Sequence, residues 1–574
     1  MESSIALKAL NQYRKRDVYA YLGLRYYLEN TSAKSNDWIE RVCTKLVSEG
    51  EKFGYLKTNH YKDWDENAYV YRDVFLPTPV ESLSEALLIT ELSKHKEFQP
   101  QRYVFSYNFT SSNDVSGLFV PYFNGIKERH SFISKLCWEN EGASVLYTDI
   151  KKFYPNIRHE DALKIWEEKC LESNIATKYF ALGEKLLKQH FEVNRTYNSG
   201  KGVLTGPMFS HVIANLLLDK IDRHMYDLTN GRYCRYVDDV IFVGQDDELE
   251  LWRNELEKQF SNLGLELHDG EKDFSVSNEK WLEGQHDFDS NLSIYWMQLI
   301  GDLKKYLFAY PNRSSELSKL FIANNIRIPV LDYTSVMKES TSVQKLGDWL
   351  GKFHFSRSLI RSISTDTLLN RAELCRLNMH AEFLKLTEGF EDAKDYDKKR
   401  LVPKIRFLAG RLAILSSPKM LLECSELLIK FDEFHQVAAT MKAVATRNVT
   451  ECLAMGSNCT QAAAQLLSIE DLPVEIDVAG LKGNNAHVIE QSLAILDLNG
   501  INYDVDLQES ELRKFSKGIG IGLLMESKDR YIKELSCLHG IGLPRHELLL
   551  NSCFDRDEEL ILDVLNQVHS SKSG

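Results

Sequence analysis

The run Arg235-Tyr236-Val237-Asp238-Asp239-Val240-Ile241-Phe242-Val243-Gly244 sets two adjacent carboxylates between apolar segments of strand composition. Tyr-Val before the pair and Val-Ile-Phe-Val after it predict two short strands, so Asp238-Asp239 falls where a hairpin reverses. Side-by-side carboxylates repel each other and are costly to bury, which makes a divalent cation a natural partner for at least one of them. Asp-Asp is also common in solvated turns, so the pair gains weight only from what surrounds it.

A second acid closes an apolar strand upstream, Asp149 in Ser144-Val145-Leu146-Tyr147-Thr148-Asp149-Ile150-Lys151-Lys152-Phe153-Tyr154-Pro155-Asn156-Ile157. In two-metal phosphoryl transfer, carboxylates from separate strands converge on ions about 3.5–4 Å apart, one activating the attacking hydroxyl and one stabilising the leaving oxygen. Asp149 and Asp238 suit bridging positions, and Asp239 suits a weaker ligand or an orienting group. Between these motifs, Gly200 to Asp222 reads as a glycine-rich loop, then Pro207 at the first turn of a helix whose apolar residues recur at helical spacing. A glycine-rich connection before any packed helix would look the same.

In this order, the acid-ending strand, the Gly-Pro loop with its helix, and Tyr-x-Asp-Asp resemble the palm of reverse transcriptases, and Tyr103 to Asp273 follows their block order. Thr205-Gly206-Pro207 followed by Ser210 departs from the Pro-Gln-Gly of retroviral and group II intron enzymes. It is similar to the version in bacterial abortive-infection and defence-associated reverse transcriptases (the unknown-group reverse transcriptases), as is Asp-Ile-Lys-Lys-Phe-Tyr-Pro-Asn-Ile.

That resemblance implies an α+β right-hand polymerase with a fingers-palm reverse transcriptase fold, followed by an all-α thumb and a helical-repeat C-terminal domain. The expected divisions are 1–140 for N-terminal helices and fingers, 141–291 for the palm, 292–390 for the thumb-like region and 391–574 for the C-terminal helices. It also implies site roles. Mg²⁺, with Mn²⁺ as a substitute, would lie on Asp149, Ile150, Asp238 and Asp239. Tyr154 matches the aromatic steric gate that crowds a 2′-hydroxyl, with Phe153 the neighbouring candidate. Gly206 and Pro207 would approach the nucleotide. Arg102 sits where incoming phosphates are gripped, with Lys127 and Arg129 as competitors, since a planar guanidinium holds phosphate oxygens by paired hydrogen bonds. Lys272 would be the general acid toward pyrophosphate. Core packing for the two rings and a surface position for Lys272 are the plain alternatives.

The net charge of −13 governs solubility rather than local phosphate binding, so basic clusters matter more than the sum. If Pro403 starts a helix, Lys404 and Arg411 share a face with Phe407, and with Arg400 they form an arm for a nucleic-acid backbone; a solvated helix face is the competing reading. Beyond about Leu292, strand-like runs give way to long Leu/Ala/Lys/Glu patterns, read as stacked antiparallel helices. The ten cysteines contain no Cys-x-x-Cys pair, which predicts reduced thiols and disfavours a zinc site. With no apolar run of bilayer length and no signal-peptide pattern at the start, the expectation is a cytoplasmic enzyme without a membrane partner.

The leading expectation is a metal-dependent reverse transcriptase acting in antiphage defence. It would use dNTPs, an RNA template or non-coding RNA, and a DNA product, as a homo-oligomer or with a second defence protein. Two alternatives stand beside it: a template-independent or protein-primed DNA polymerase of the abortive-infection type, and a non-catalytic RNA-binding scaffold.

Overall fold

The computed structural model describes residues 4–14, 17–29, 36–48, 54–65, 68–111, 117–197, 200–268, 273–284, 293–331, 363–505 and 509–539. The chain forms two compact units: Met1–Thr58, Asp73–Asp289 and Gly522–Ile541 make the first, and Asn59–Arg72, Ser290–Ile521 and Gly542–Gly574 the second. A division near residue 290 matches the change of sequence character. Gly522–Ile541, expected with the C-terminal helices, groups instead with the first unit.

Strands β1 (Tyr55–Asp65) and β2 (Ala68–Pro77) form a two-stranded ribbon. A four-stranded antiparallel sheet then builds the heart of the first unit from β3 (Ser144–Asp149), β4 (Tyr233–Tyr236), β5 (Asp239–Gly244) and β6 (Phe274–Ser277), in the order β4-β5-β3-β6. Val, Ile, Tyr and Phe favour the pleated backbone of these strands. Val145 to Asp149 and Val240 to Gly244 are buried without alternation, so both faces of β3 and β5 are covered. The hairpin between β4 and β5 reverses at Val237-Asp238, one residue earlier than the sequence suggests, because Asp239 already pairs with Tyr236.

Helices α1 (Ser4–Arg14), α2 (Pro79–Leu92), α3 (Tyr122–Glu139) and α4 (Met208–Leu228) belong to the same unit. Pro207 stands immediately before the first helical residue of α4. The orphan amides that open this helix are met by a buried acid: Glu85 Oε2 on α2 accepts from Met208 N at 2.6 Å and Phe209 N at 3.3 Å, and also from the Tyr13 hydroxyl of α1 at 3.2 Å. One turn earlier, Glu81 is fully buried and pairs with Arg530 at 2.7 Å. That ion pair ties the helix Arg530–Leu538 to α2, which accounts for the placement of this late segment in the first unit.

The second unit is helical: α5 (Ile294–Ala309), α6 (Thr365–Glu391), α7 (Asp395–Leu415), α8 (Pro418–Leu428), α9 (His435–Thr446), α10 (Ser457–Glu470) and α11 (Ala486–Leu498). Sequence neighbours pack on one another, α6 with α7, α8 with α9, α9 with α10 and α10 with α11. Ser364, Ser417 and Asn485 cap α6, α8 and α11 by accepting backbone N–H groups. The ribbon tip joins this unit, with the Tyr71 hydroxyl donating to the Ala454 carbonyl at 2.5 Å. No helix among the described residues is long and apolar enough to cross a membrane.

Burial raises the Glu85 carboxyl from 4.5 to about 8, against the opposing pull of the Met208 and Phe209 amides. The folded chain therefore holds this proton more tightly than the unfolded chain. The stabilisation is complete below pH 4.5 and is lost as pH rises through about 8. Glu85→Gln keeps an acceptor for the helix amides and removes the titration, so its melting temperature is expected to vary less than that of the wild type between those limits in calorimetry.

Candidate active site

Antiparallel pairing of β3 with β5 sets Asp149 directly opposite Asp239. The Ile150 amide donates to the Asp238 carbonyl at 3.2 Å, which fastens the hairpin turn to the end of β3. On the other side, Lys151 N donates to Glu266 O at 2.8 Å and His268 N to Asp149 O at 2.7 Å, while Ile150 bridges Leu267. The Asp149 backbone is thus held from both flanks. His268 Nε2 lies 3.8 Å from Asp149 Oδ2.

Asp238 sits on the turn itself and is partly exposed. Arg129 on α3 reaches Asp239, Nη1 to Oδ2 at 3.2 Å, with its guanidinium 5.1 Å from the centre of the Tyr236 ring. A cation there offsets part of the repulsion among three neighbouring carboxylates. Among the described residues no three His, Cys, Asp or Glu side chains are gathered closely enough to hold a metal ion. The two strand-borne acids face each other, and Asp238 stands beside them on the turn.

Beneath the hairpin lies a buried network. Arg235, only 1% exposed, grips Asp222 of α4 with Nε to Oδ1 at 2.8 Å and Nη2 to Oδ2 at 2.7 Å. Its remaining hydrogen bonds go to Asn215 Oδ1 at 3.2 Å and to the Val237 carbonyl at 2.8 Å. The Tyr233 hydroxyl donates to Asp222 Oδ1 at 2.6 Å. Asn215 and Asp222 stand seven residues apart on α4, two helical turns on one face.

The two candidate gate rings part company. Phe153 is 2% exposed and belongs to the core, whereas Tyr154 is half-buried and bonds its hydroxyl to His211 Nδ1 at 2.6 Å. Tyr107 stacks flat on the His211 ring, centroids 3.7 Å apart.

Gly206 serves the backbone. Its φ is +123°, and a Cβ there would come within 2.3 Å of the Phe75 carbonyl oxygen of β2, whose amide bonds Thr205 O at 2.8 Å.

Arg102 is exposed, donates to the Tyr226 hydroxyl at 2.9 Å, and lines a groove of about 740 Å³ with Phe105, Lys127, Phe132 and Tyr226. Arg102 thus meets Tyr226, whereas the arginine that touches an acid of the pair is Arg129. Lys272 lies outside the described residues.

The basic arm is used within the second unit. Arg411 lies over Trp296 at 4.5 Å and Phe407 at 5.1 Å, Arg400 over Tyr396 at 5.6 Å, and Lys404 is half-buried. Pro403 falls inside α7 rather than at its start, which removes a helical amide without ending the helix.

Sequence reasoning missed His211, His268 and the Arg235–Asp222 pair. The available signals were Arg235 immediately before the Tyr-x-Asp-Asp run and polar residues at helical spacing on the otherwise apolar α4.

Residues 72–281 match the family model described as reverse transcriptase (RNA-dependent DNA polymerase). The match indicates an enzyme, an RNA-directed DNA polymerase of the nucleotidyltransferase class. No curated protein matches the chain. A solved structure of telomerase from Candida albicans, in complex with a fragment of telomeric RNA, is 12% identical, with 70% of this chain and 67% of that chain covered and a TM-score of 0.25.

Removing the negative partner of the buried pair strands a guanidinium in the core. Asp222→Asn is expected to lower stability by about 3–5 kcal/mol, read from the midpoint and slope of urea unfolding.

Proposed function

We propose that the first unit joins deoxynucleotides to a growing DNA strand with Asp149, Asp238 and Asp239 as the catalytic acids and RNA as the template. The observation that carries this reading is the β3–β5 register, which brings an acid from each strand to one end of the sheet with a third on the adjoining turn. Carboxylates are hard oxygen donors that suit Mg²⁺, and the Ile150 carbonyl at the end of β3 is of the same kind, so the donor set fits the ion the family uses. When bound, such an ion activates the primer hydroxyl and stabilises charge on the transferred phosphate.

The protein's own contribution is placement. Asp149 is buried at 8% exposure and backed by the His268 amide, so it offers its carboxylate from a fixed strand end. Arg129 balances Asp239 from the side of α3. Tyr154, held through His211, stands five residues beyond Asp149 as the ring that would crowd a ribose 2′-hydroxyl. The helices of 292–390 would then clamp product duplex as a thumb, and those between 391 and 521 would form the helical-repeat domain, since Gly522–Ile541 groups with the first unit; 332–362 and 540–574 lie outside the described residues. A role in antiphage defence, with a non-coding RNA, a second protein or further copies of the chain as partners, is supported by the motif resemblance alone.

Asp149→Asn and Asp238→Asn are each expected to reduce labelled dNTP incorporation by about three orders of magnitude, because they weaken charge stabilisation worth several kcal/mol. Incorporation that persists in both variants would overturn the assignment. Nuclease removal of copurified RNA separates templated copying, which stops, from untemplated synthesis, which continues. Tyr154→Ala is expected to raise ribonucleotide use relative to deoxynucleotide use by roughly tenfold, the scale of one lost steric contact, measured as the ratio of kcat/KM values.

A further inference from the structure

The turn that carries Asp238 is held in a conformation its own residue resists. Val237 has φ +59°, in the left-handed region where a β-branched side chain crowds the backbone. Hydrogen bonds grip this one residue at both ends. Its N–H donates to Ser106 Oγ at 2.8 Å, and its carbonyl accepts from Arg235 Nη1 at 2.8 Å.

Both holders are themselves fixed. Ser106 is 1% exposed, and its own carbonyl accepts from Asn215 Nδ2 at 3.1 Å. Asn215 in turn accepts from Arg235, which Asp222 locks with two further bonds. Ser106, Asn215, Arg235 and Val237 therefore close a ring of hydrogen bonds from a loop, a helix and the hairpin, with Asp222 as its counter-charge. A ring of this kind over-determines a strained residue, which is the condition for such strain to persist.

We propose that Ser106 and Arg235 are positioning residues that force Val237 into the left-handed turn and thereby set where the Asp238 and Asp239 carboxylates stand for nucleotidyl transfer. This rests on the reading of those acids as catalytic. Released from either grip, a valine relaxes toward negative φ, and the peptide that follows rotates and carries Asp238 with it. A glycine at the same position adopts the turn at no steric cost and would not need the grips.

The test uses the full chain and measures deoxynucleotide incorporation across a Mg²⁺ series, with melting temperature recorded in parallel. Ser106→Ala, the near-isosteric Ser106→Cys, Val237→Gly, the double variant S106A/V237G and Asp238→Asn are compared. Ser106→Ala is expected to lose roughly tenfold in rate, equal to about 1.4 kcal/mol, and to need more Mg²⁺ for half-maximal rate. Ser106→Cys, with a weaker acceptor, is expected to fall between Ser106→Ala and the wild type, and it replaces the alanine variant if that chain does not fold. In the V237G background the Ser106→Ala loss is expected to shrink to about twofold or less, since the clamped strain is gone.

Wild-type rate and Mg²⁺ dependence in both Ser106 variants would overturn the proposal. So would an equal loss with or without Val237→Gly, which is the mark of a merely structural hydroxyl. Asp238→Asn separates the two levels: an inactive Asp238→Asn beside an unimpaired Ser106→Ala refutes the clamp alone, whereas an active Asp238→Asn refutes the acids as catalytic.

Discussion

The pairing of β3 with β5 is the constraint on which the site depends. Asp149 and Asp239 are ninety residues apart in the chain and become neighbours only because six consecutive residue pairs match, from Ser144 opposite Gly244 to Asp149 opposite Asp239. A slip of one residue would turn every side chain of one strand to the opposite face and separate the acids. Continuous burial of both strands resists that slip, since it would leave the side chains packed on either face without their partners.

A ring of polar contacts supports this apolar frame. Arg235 and Asp222 are both nearly inaccessible, so their attraction works in a medium where an unpaired charge would be very costly. A hydrophobic pair in their place would pack as well, yet it could not reach the Val237 carbonyl or Asn215 with directed bonds. The buried charges thus give the turn one conformation, a specificity that apolar packing alone does not provide. Glu85 acts in a comparable way at the other end of α4, where it supplies an acceptor to amides that the helix leaves unpaired.

The strand ends on which the acids stand were legible, because strand composition precedes Asp149 and flanks the Asp238-Asp239 pair. The supporting residues were not legible. Ser106 lies in a loop with no periodicity, His211 reads as one more residue of an amphipathic helix, and Arg129 and Arg102 are equivalent in composition although the first touches Asp239 and the second Tyr226. Tyr154 and Phe153 illustrate the same limit. Adjacent rings point in different directions, and only the packing around them determines which is covered.

By itself the sequence determined the strands that flank Asp149 and the Asp238-Asp239 pair, the helical second half and the change of character near residue 290, since these follow from strand composition and helical spacing. Tertiary structure alone decided which arginine meets Asp239, that Gly206 makes room for β2, that Arg411 stacks on Trp296, and that Arg530 returns to Glu81. The physical reason is common to all four. Each is a contact between residues distant along the chain, and its energy depends on burial and direction that exist only once the chain has folded around it.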